Sequence, residues 1–550
     1  MKNLPYLYTA LLLLSCIACG ESSLNASTSD MGYATPGGSQ DSGYLRAVLA
    51  DGMIPLAEDI SVEGFLAEHS IPSPLEQCDY ALCMEGTLVH DRAVAEERSA
   101  TLIHLGMGSN INLDDQERTP LNLAVVIDVS GSMDGAGRLD FVKQGLLQML
   151  EELSPGDRLS IVTYNDEATL LVRSQPVENK EWLARTITNL QAGGSTNLYA
   201  GMITGYEQVA QHTSSDYLSR VILLSDGLAN AGEIDPEIIL AQSKVFNNDG
   251  IGISTIGVGL NFNQELMKSL SEQGSGNFYF LQDPQRATEV FTEELDCMMT
   301  PVAHNLVIRL KLAEGFTLVD TFGLPHSWNE TNEMLIEVPT VFASRKGGAM
   351  LIRVDYPELT SLLADDLVLD IQYQYESLNQ EETHSRHINL TSTVVIPEAL
   401  VEAQQVYTHA GSLKAMVIWN IASAFKAAAK AYEQDNSQLA IELIRALASY
   451  VEETNTVLDD EEIRADRREL ISLFAMNLGY YLGDPDCGAE EGYCGYEYYY
   501  GYDDYYDCGV PFGCNGTGGI PTPWILAGLG VAFSMLKRRR RQQAPYESNS

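Results

Sequence analysis

The chain has 550 residues, more than one ordinary domain needs, and its hydrophobic fraction of 45% is sufficient for buried cores and excludes wholesale disorder. Its formal net charge of -43 repels phosphate groups and argues against nucleic acid as a partner. The same charge suits a protein that meets metal ions or basic partners. We therefore expect roughly two to four folded units with no nucleic-acid-binding surface.

The N-terminus has the pattern of a bacterial secretory signal. A lysine near the start is followed by an apolar run and by small residues around two cysteines. The sequence LLSC that ends at Cys16 resembles the bacterial lipobox, in which the cysteine is acylated and becomes the mature N-terminus. Cys19 is the alternative, and a plain signal peptide with incidental cysteines is a third interpretation. We expect a lipoprotein signal peptide at 1–19 and, from its Ser, Gly, Asn and Asp content, a flexible linker at 20–43.

Residues 44–120 are expected to form an N-terminal flank of short helices and strands. Its first half predicts two short helices around a Pro-containing turn, and the sequence SATLIHLGMGSNI predicts a strand. Cys78 and Cys83 are close enough in the chain to close a small disulfide loop, which export permits. A zinc site is disfavoured because the chain has no Cys-x-x-Cys pair with an accompanying histidine.

Strand and helix patterns alternate over residues 121–298. The first strand is the apolar run LNLAVVI, and later strands are LSIVTY, RVILLS, GISTIGVG and NFYFL. Helical patterns lie between them, including one with Asp235 as its predicted N-cap and Pro236 in its first turn. Continuous apolar strands that alternate with helices predict an α/β fold, a Rossmann-like parallel sheet with helices on both faces.

The pattern changes twice after this region. Over 299–397, alternating strands follow one another without helices and predict an antiparallel β domain. The strands that precede residue 121 are expected to join it, so that the α/β domain would be inserted into a β sandwich. Over 398–483, Ala-rich and Leu-rich helical patterns predict a small helical bundle.

The C-terminal region predicts a cross-linked tail and a membrane segment. Residues 484–520 are rich in Cys, Tyr, Gly and Asp, and we expect disulfides of undetermined connectivity among Cys487, Cys494, Cys508 and Cys514. Residues 521–541 contain an apolar run and then a basic cluster, which resembles a bacterial C-terminal sorting signal. A simple stop-transfer anchor or a basic amphipathic end is the alternative, because the run is short for a bilayer core of about 30 Å. Both ends together predict an exported, membrane-anchored lipoprotein at the outer membrane or cell surface.

Oxygen-bearing side chains follow the first apolar strand of the α/β region. Asp128, Ser130 and Ser132 lie in one loop at the carboxyl end of that strand, where open α/β sheets bind ligands. A carboxylate and two hydroxyls are hard oxygen ligands that suit Mg²⁺, and Mn²⁺ or Ca²⁺ as alternatives. Gly131, between the serines, lets both turn inward. The competing interpretation is that Asp128 caps a turn and the serines solvate it.

This loop carries a resemblance to a known family. The sequence VVIDVSGSM resembles the Asp-x-Ser-x-Ser motif of von Willebrand factor A domains, which form a metal-ion-dependent adhesion site. LQAGGSTNLYAGM matches the family's second loop and puts Thr196 in the position of its metal-ligating threonine. VILLSDG matches the third loop and puts Asp226 in the position of the acid that usually holds the ion through water. The resemblance implies that Asp128, Ser130 and Ser132 bind Mg²⁺ directly and that a partner protein supplies an acidic residue to the ion.

The flanks of the α/β region extend this resemblance. They are similar to those of bacterial A-domain lipoproteins and, more distantly, of inter-alpha-trypsin inhibitor heavy chains. The implied function is that of a cell-envelope protein that binds a partner protein through a divalent cation. The alternatives are a structural envelope protein in which metal only stabilises the fold and a metal-dependent hydrolase.

Enzymatic function is disfavoured by what the sequence lacks. Metal-assisted hydrolysis needs a general base beside the metal-bound water, and His212 is the one histidine near the three loops. It falls at the end of a predicted helix, where a solvated role is expected. The chain also has no His-Glu-x-x-His, Gly-x-Ser-x-Gly, Walker or Gly-x-Gly-x-x-Gly motif. We therefore expect a binding protein that is not an enzyme.

Overall fold

The computed structural model describes residues 32–35, 39–40 and 42–482, with short gaps at 76, 97, 112–118, 215, 282–286, 288–289, 292–300, 324–326, 329–332, 345–348, 356–365, 379–381, 392–405 and 408. The expected signal peptide at 1–19, with Cys16 and Cys19, lies outside the described residues, as do the tail at 484–520 and the segment at 521–541. Within the described part, no helix is both long and apolar enough to cross a membrane.

The described elements are numbered in chain order. The strands are β1 Gly32–Thr35, β2 Ser39–Gln40, β3 Cys83–Arg92, β4 Ser99–Ser109, β5 Leu121–Asp128, β6 Arg158–Tyr164, β7 Ala168–Pro176, β8 Leu218–Ser225, β9 Gly252–Val258, β10 Phe278–Leu281, β11 Pro301–Leu312, β12 Thr317–Phe322, β13 Ser327–Trp328, β14 Glu333–Ser344, β15 Met350–Asp355, β16 Leu367–Glu376, β17 Thr383–Thr391 and β18 Val406–Tyr407. The helices are α1 Ser42–Ala50, α2 Val62–Glu68, α3 Arg138–Glu152, α4 Lys180–Thr188, α5 Leu198–Ala210, α6 Pro236–Asn248, α7 Gln264–Gln273, α8 Ala410–Glu433, α9 Ser437–Leu458, α10 Glu461–Asp466 and α11 Ser472–Asn477, with a π-helical turn at Arg467–Ile471.

The α/β unit is built on a sheet with the strand order β2-β10-β9-β8-β5-β6-β7. Its neighbours pair in parallel except β6 and β7, which are antiparallel. The predicted Rossmann-like α/β fold is confirmed, but the sheet is mixed and not wholly parallel. The sequence analysis missed β7, an edge strand in which Val172 is the one buried side chain. Its apolar run covers only Leu170, Leu171 and Val172, which is shorter than the runs of the buried strands.

Helices cover both faces of this sheet, as predicted. Side chains of β5 alternate between two clusters: Val125 and Ile127 pack with α3 and α4, whereas Ala124 and Val126 pack with α5, α6 and α7. Gly205 lets α5 approach closely, because a Cβ at this position would lie 2.4 Å from Val126 Cγ2. The predicted start of α6 is also confirmed, since the Asp235 carboxylate accepts a hydrogen bond from Glu237 N at 3.0 Å.

Strands from both sides of the α/β unit form a second, antiparallel sheet. Its path is β12-β15-β4-β1-β14-β11-β16-β17, with β13 beside β14 and with β3 between β4 and β18. β4 precedes the α/β unit and β15 follows it, and Ile103 lies opposite Ile352 in their ladder. The α/β unit is therefore inserted between strands of one sheet. The sequence analysis expected a sandwich of two sheets. The structure has one continuous sheet that packs against a single apolar cluster on one of its faces.

The sequence analysis expected a flexible linker at 20–43, and this prediction is wrong for the described residues 32–35, 39–40 and 42–43. β1 pairs with β4 and β14 in the antiparallel sheet, β2 pairs with β10 in the α/β sheet, and α1 begins at Ser42. Strand pairing uses backbone groups, which Ser-rich and Gly-rich sequences also possess. Composition alone therefore did not distinguish these strands from a tether.

The C-terminal helices share their core with the N-terminal flank. Phe65 of α2, Trp419 and Phe425 of α8 and Phe474 of α11 belong to one buried cluster, together with Leu102 of β4. The helical patterns over 398–483 are confirmed by α8 to α11, but these helices do not form a separate bundle. The short flank helices α1 and α2 bury little apolar surface by themselves, so they need the contact with the C-terminal helices. The predicted disulfide between the cysteines at 78 and 83 is confirmed.

Candidate metal centre

Two buried carboxylates meet at the carboxyl edge of the α/β sheet. Asp128 ends β5, and Asp226 directly follows β8. These strands are parallel neighbours, with Ile127 beside Leu224, so their ends bring both acids to the same place. Each residue is 0% exposed. Buried carboxylates need compensation by hydrogen bonds or by a cation.

A chain of hydrogen bonds joins the two carboxylates through the serines. Ser130 N donates to Asp128 Oδ1 at 2.8 Å, and the Ser130 and Ser132 hydroxyls are 2.9 Å apart. Ser132 Oγ donates to Asp226 Oδ1 at 2.6 Å. Four of the five residues predicted as metal ligands are therefore linked in one chain of hydrogen bonds.

The loop of Thr196 is fixed against the first loop by backbone hydrogen bonds. Gly131 N donates to Gly194 O at 3.0 Å, and Gly193 N donates to Val129 O at 2.7 Å. The loop that follows Asp226 is joined to the loop of Thr196, because Asn230 N donates to Thr196 O at 3.1 Å.

The hydroxyls of Ser132 and Thr196 both lie beside Gly227. A Cβ at Gly227 would lie 3.6 Å from Ser132 Oγ and 3.7 Å from Thr196 Oγ1. Thr196 is 3% exposed, and its hydroxyl lies near the same point as the Ser132 hydroxyl. The structure thus brings together all five residues that the sequence analysis singled out.

The donor set fits a hard divalent cation. It combines two carboxylates with three hydroxyls, all oxygen donors of the kind that Mg²⁺ and Ca²⁺ prefer. Burial, followed by the nearby charge of Asp226, raises the pKa of Asp128, so a bound cation would relieve a real electrostatic cost. Among the described residues, no three His, Cys, Asp or Glu side chains come together as a metal-binding group, so a cation here depends on the hydroxyls.

Two residues of the site were missed by the sequence analysis. Ser225 Oγ donates to Asp128 Oδ2 at 3.1 Å. Arg138 Nη1, on the first residue of α3, donates to Asp226 Oδ2 at 3.0 Å and to Ser132 O at 3.1 Å. Arg138 could have been noticed in the sequence, because it is the one Lys or Arg in the loops at this edge of the sheet. These loops are 128–138, 164–168, 190–197, 226–235 and 259–263.

The histidine considered as a general base lies elsewhere. His212 Nε2 is 3.0 Å from Arg158 Nη2, and Arg158 is the first residue of β6. The carboxyl end of β6, next to Asp128, is Tyr164. His212 is therefore at the opposite end of the strand from the candidate metal centre.

Comparison with known proteins agrees with this geometry. The family model of the von Willebrand factor type A domain matches residues 122–293. The chain contains a von Willebrand factor type A (VWA) domain. Its site loops are the three loops of the matched segment, and VWA domains are mostly interaction modules.

The curated relatives share this domain. An uncharacterized protein of Synechocystis is 27% identical over 46% of this chain and 60% of its own length. The uncharacterized protein YfbK of Escherichia coli is 30% identical over 36% of this chain and 34% of its own. An inter-alpha-trypsin inhibitor heavy chain of Mus musculus is 31% identical over 32% of this chain and 21% of its own. The chain thus spans less than two thirds of each of these relatives.

One solved structure resembles the fold beyond the VWA domain. The protein described as von Willebrand factor type A from Catenulispora acidiphila has a TM-score of 0.50 and 14% sequence identity. The match covers 70% of this chain and 89% of that chain. The shared fold therefore includes part of the sequence outside the matched segment.

Proposed function

We propose that this protein is a cell-envelope protein whose VWA domain binds a partner protein through a divalent cation. VWA domains often mediate metal-dependent protein interaction. The observation that carries the proposal is the convergence of Asp128, Ser130, Ser132, Thr196 and Asp226 at one sheet edge. Mg²⁺ is the proposed ion, with Mn²⁺ or Ca²⁺ as alternatives.

The burial of these residues supports binding from one direction. Asp128, Ser130, Thr196 and Asp226 are buried, whereas Ser132 is exposed. When bound, the cation supplies a position that accepts a carboxylate oxygen. A partner's acidic side chain would therefore approach from the side of Ser132.

A binding role is proposed in preference to catalysis. Among the described residues, the groups that contact the serine hydroxyls and the two acids are carboxylates, hydroxyls, backbone groups and Arg138. Metal-assisted hydrolysis would need a general base beside the ion, and the histidine considered for that role, His212, is at the far end of β6. We therefore propose that the protein is not an enzyme.

The envelope location is proposed from the two ends of the sequence. Acylation at Cys16, or at Cys19 as the alternative, would anchor the N-terminus in a membrane, and residues 521–541 would supply a second hydrophobic attachment. Labelled palmitate should be incorporated by the wild type and lost in the variant of the acylated cysteine. Incorporation in a variant that lacks both cysteines would contradict this proposal.

The first experiment tests the metal centre. Thermal unfolding of the detergent-purified full chain is measured in EDTA and in Mg²⁺ for the wild type, Asp128→Ala and Asp320→Ala. Asp320 is an exposed residue of β12 in the other sheet and serves as the matched control. A cation that binds only the folded state adds about 2.7 kcal/mol at a hundredfold excess over its dissociation constant. Mg²⁺ should stabilise the wild type and Asp320→Ala but not Asp128→Ala.

The second experiment separates adhesion from a structural role. Immobilised wild type and Asp128→Ala are exposed to an envelope extract in Mg²⁺ or EDTA, and a captured protein is purified and tested again after substitution of its acidic residues. Adhesion requires Mg²⁺-dependent binding that needs both Asp128 and one acid of the partner. Metal stabilisation without such binding would favour a structural envelope protein.

A further inference from the structure

Arg138 occupies a central position in the candidate metal centre. Its Nη1 lies 3.0 Å from Asp226 Oδ2, and Ser132 Oγ lies 2.6 Å from the other oxygen, Asp226 Oδ1. Nη1 also donates to Ser132 O at 3.1 Å. Both carboxylate oxygens of Asp226 are therefore held by the first loop and by the residue that starts α3.

The local backbone directs this arginine into the site. Ala136 and Gly137 have left-handed φ values of 51° and 71°, and α3 begins immediately after them with Arg138. Gly259 provides the room, because a Cβ there would lie 2.7 Å from Arg138 Nε and 3.2 Å from Cζ. The side chain of Arg138 is 20% exposed, so its charge is only partly screened.

Charge determines what this arrangement does to a divalent ion. Arg138 and the ion would be attracted to the same carboxylate of Asp226 and would repel each other. Asp128 and Asp226 together carry two negative charges, and Arg138 cancels one of them. An arginine is always protonated, so this opposition is present at every physiological pH.

From these contacts we propose that Arg138 is a positioning residue that neutralises Asp226, competes with the divalent cation for it and thereby weakens the metal affinity of the VWA site. This inference rests on the proposed function, because it assumes that the site binds metal. The site then fills at higher cation concentrations. Once filled, it retains one more positive charge toward a partner's carboxylate than it would without Arg138.

The test uses Mg²⁺ alone as the probe on the detergent-purified full chain. The Mg²⁺ dissociation constant is measured by calorimetry at a temperature where every variant is folded, for the wild type, Arg138→Gln and Arg138→Lys. Lys143→Gln is the matched control, because Lys143 is also on α3 but pairs with Asp140 at 3.3 Å. Arg138→Gln should bind Mg²⁺ on the order of tenfold more tightly, whereas Arg138→Lys and Lys143→Gln should resemble the wild type.

Thermal unfolding in EDTA supplies a second readout. Arg138→Gln should lower the midpoint in EDTA, because it leaves the buried charge of Asp226 without its cation, and should enlarge the stabilisation by Mg²⁺. A midpoint lowered equally in both buffers, with an unchanged dissociation constant, would show a structural role and overturn the inference. Weaker Mg²⁺ binding by Arg138→Gln would overturn it as well. If the wild type does not respond to Mg²⁺, the proposed function itself fails.

Discussion

The burial of His104 between β4 and α8 makes the stability of the fold depend on pH. His104 is a fully buried residue of β4, and its Nδ1 lies 3.2 Å from Ser412 Oγ on α8. Burial, reinforced by the charge of His409, lowers the pKa of His104 from 6.5 to about 3. As the pH falls, His104 is therefore protonated near pH 6.5 in the unfolded chain but only near pH 3 in the folded chain. The stability that depends on neutral His104 is present above pH 6.5 and is lost as the pH falls toward 3.

The size of this effect follows from the two pKa values. Between about pH 7.5 and about pH 4.5, proton binding by the unfolded state should lower the free energy of unfolding by about 3 kcal/mol. His104→Gln removes the titrating group and keeps a polar side chain, so the variant should lack this component. The difference between wild type and variant isolates His104 from His69, whose pKa is shifted in the opposite direction.

The assay is urea unfolding of the full chain in detergent, followed by circular dichroism across this pH range. The unfolding free energy of the wild type should fall more steeply than that of His104→Gln as the pH decreases. Parallel curves for the two proteins would refute the reasoning, since they would show that His104 is not held neutral at the contact between β4 and α8.

Three further predictions concern packing, the site and pH. Gly205→Ala should lower the free energy of unfolding by about 1–3 kcal/mol, because the added Cβ would lie 2.4 Å from Val126 Cγ2 on β5. Gly156→Ala is the control and should be nearly neutral, because no atom lies within 4 Å of its added Cβ. Equal losses for the two variants in urea unfolding would contradict this packing. Ser225→Ala should cost about 1–3 kcal/mol in EDTA, because it removes the hydroxyl that donates to the buried carboxylate of Asp128; an unchanged melting midpoint would show that this hydrogen bond is unimportant. Burial lowers the pKa of His69, but the hydrogen bond and the charge interaction of its ring with the buried carboxylate of Asp466 outweigh burial, so the pKa is raised. The stabilisation lost in His69→Gln should be complete below pH 6.5 and decline as the pH rises through the raised pKa, so a loss that grows with pH would exclude this pairing.

Local patterns in the sequence determined the α/β unit and its site. The apolar run before Asp128 predicted a buried strand, and the alternation of strands and helices predicted a parallel sheet. In the structure β5 and β8 are parallel neighbours in that sheet. Because the carboxyl ends of neighbouring parallel strands meet, short polar residues after two such strands had to lie close together. Asp128 was therefore predictable from the residues themselves, whereas Asp226 was predicted from the resemblance of its loop to von Willebrand factor A domains. The start of α6 at Pro236 was predictable from its N-cap pattern.

The tertiary structure alone decided contacts between segments that are distant in the chain. Pairing of β1 with β4 and β14 uses backbone hydrogen bonds that no side-chain pattern marks, and β7 is an exposed edge strand with a weak apolar pattern. The shared core of α2 and α8 likewise depends on which apolar faces meet.

Arg138 shows the same limit within the site. Its basic character was visible in the sequence, but its contact with Asp226 depends on the turn at Ala136 and Gly137 and on the space above Gly259. The sequence determined which oxygen atoms surround the candidate metal centre, because Asp128 and Asp226 stand at strand ends and the loop of Thr196 resembles that of a known family. Only the folded structure decided that the charged side chain of Arg138 reaches the carboxylate of Asp226, because that contact is set by packing between separate loops.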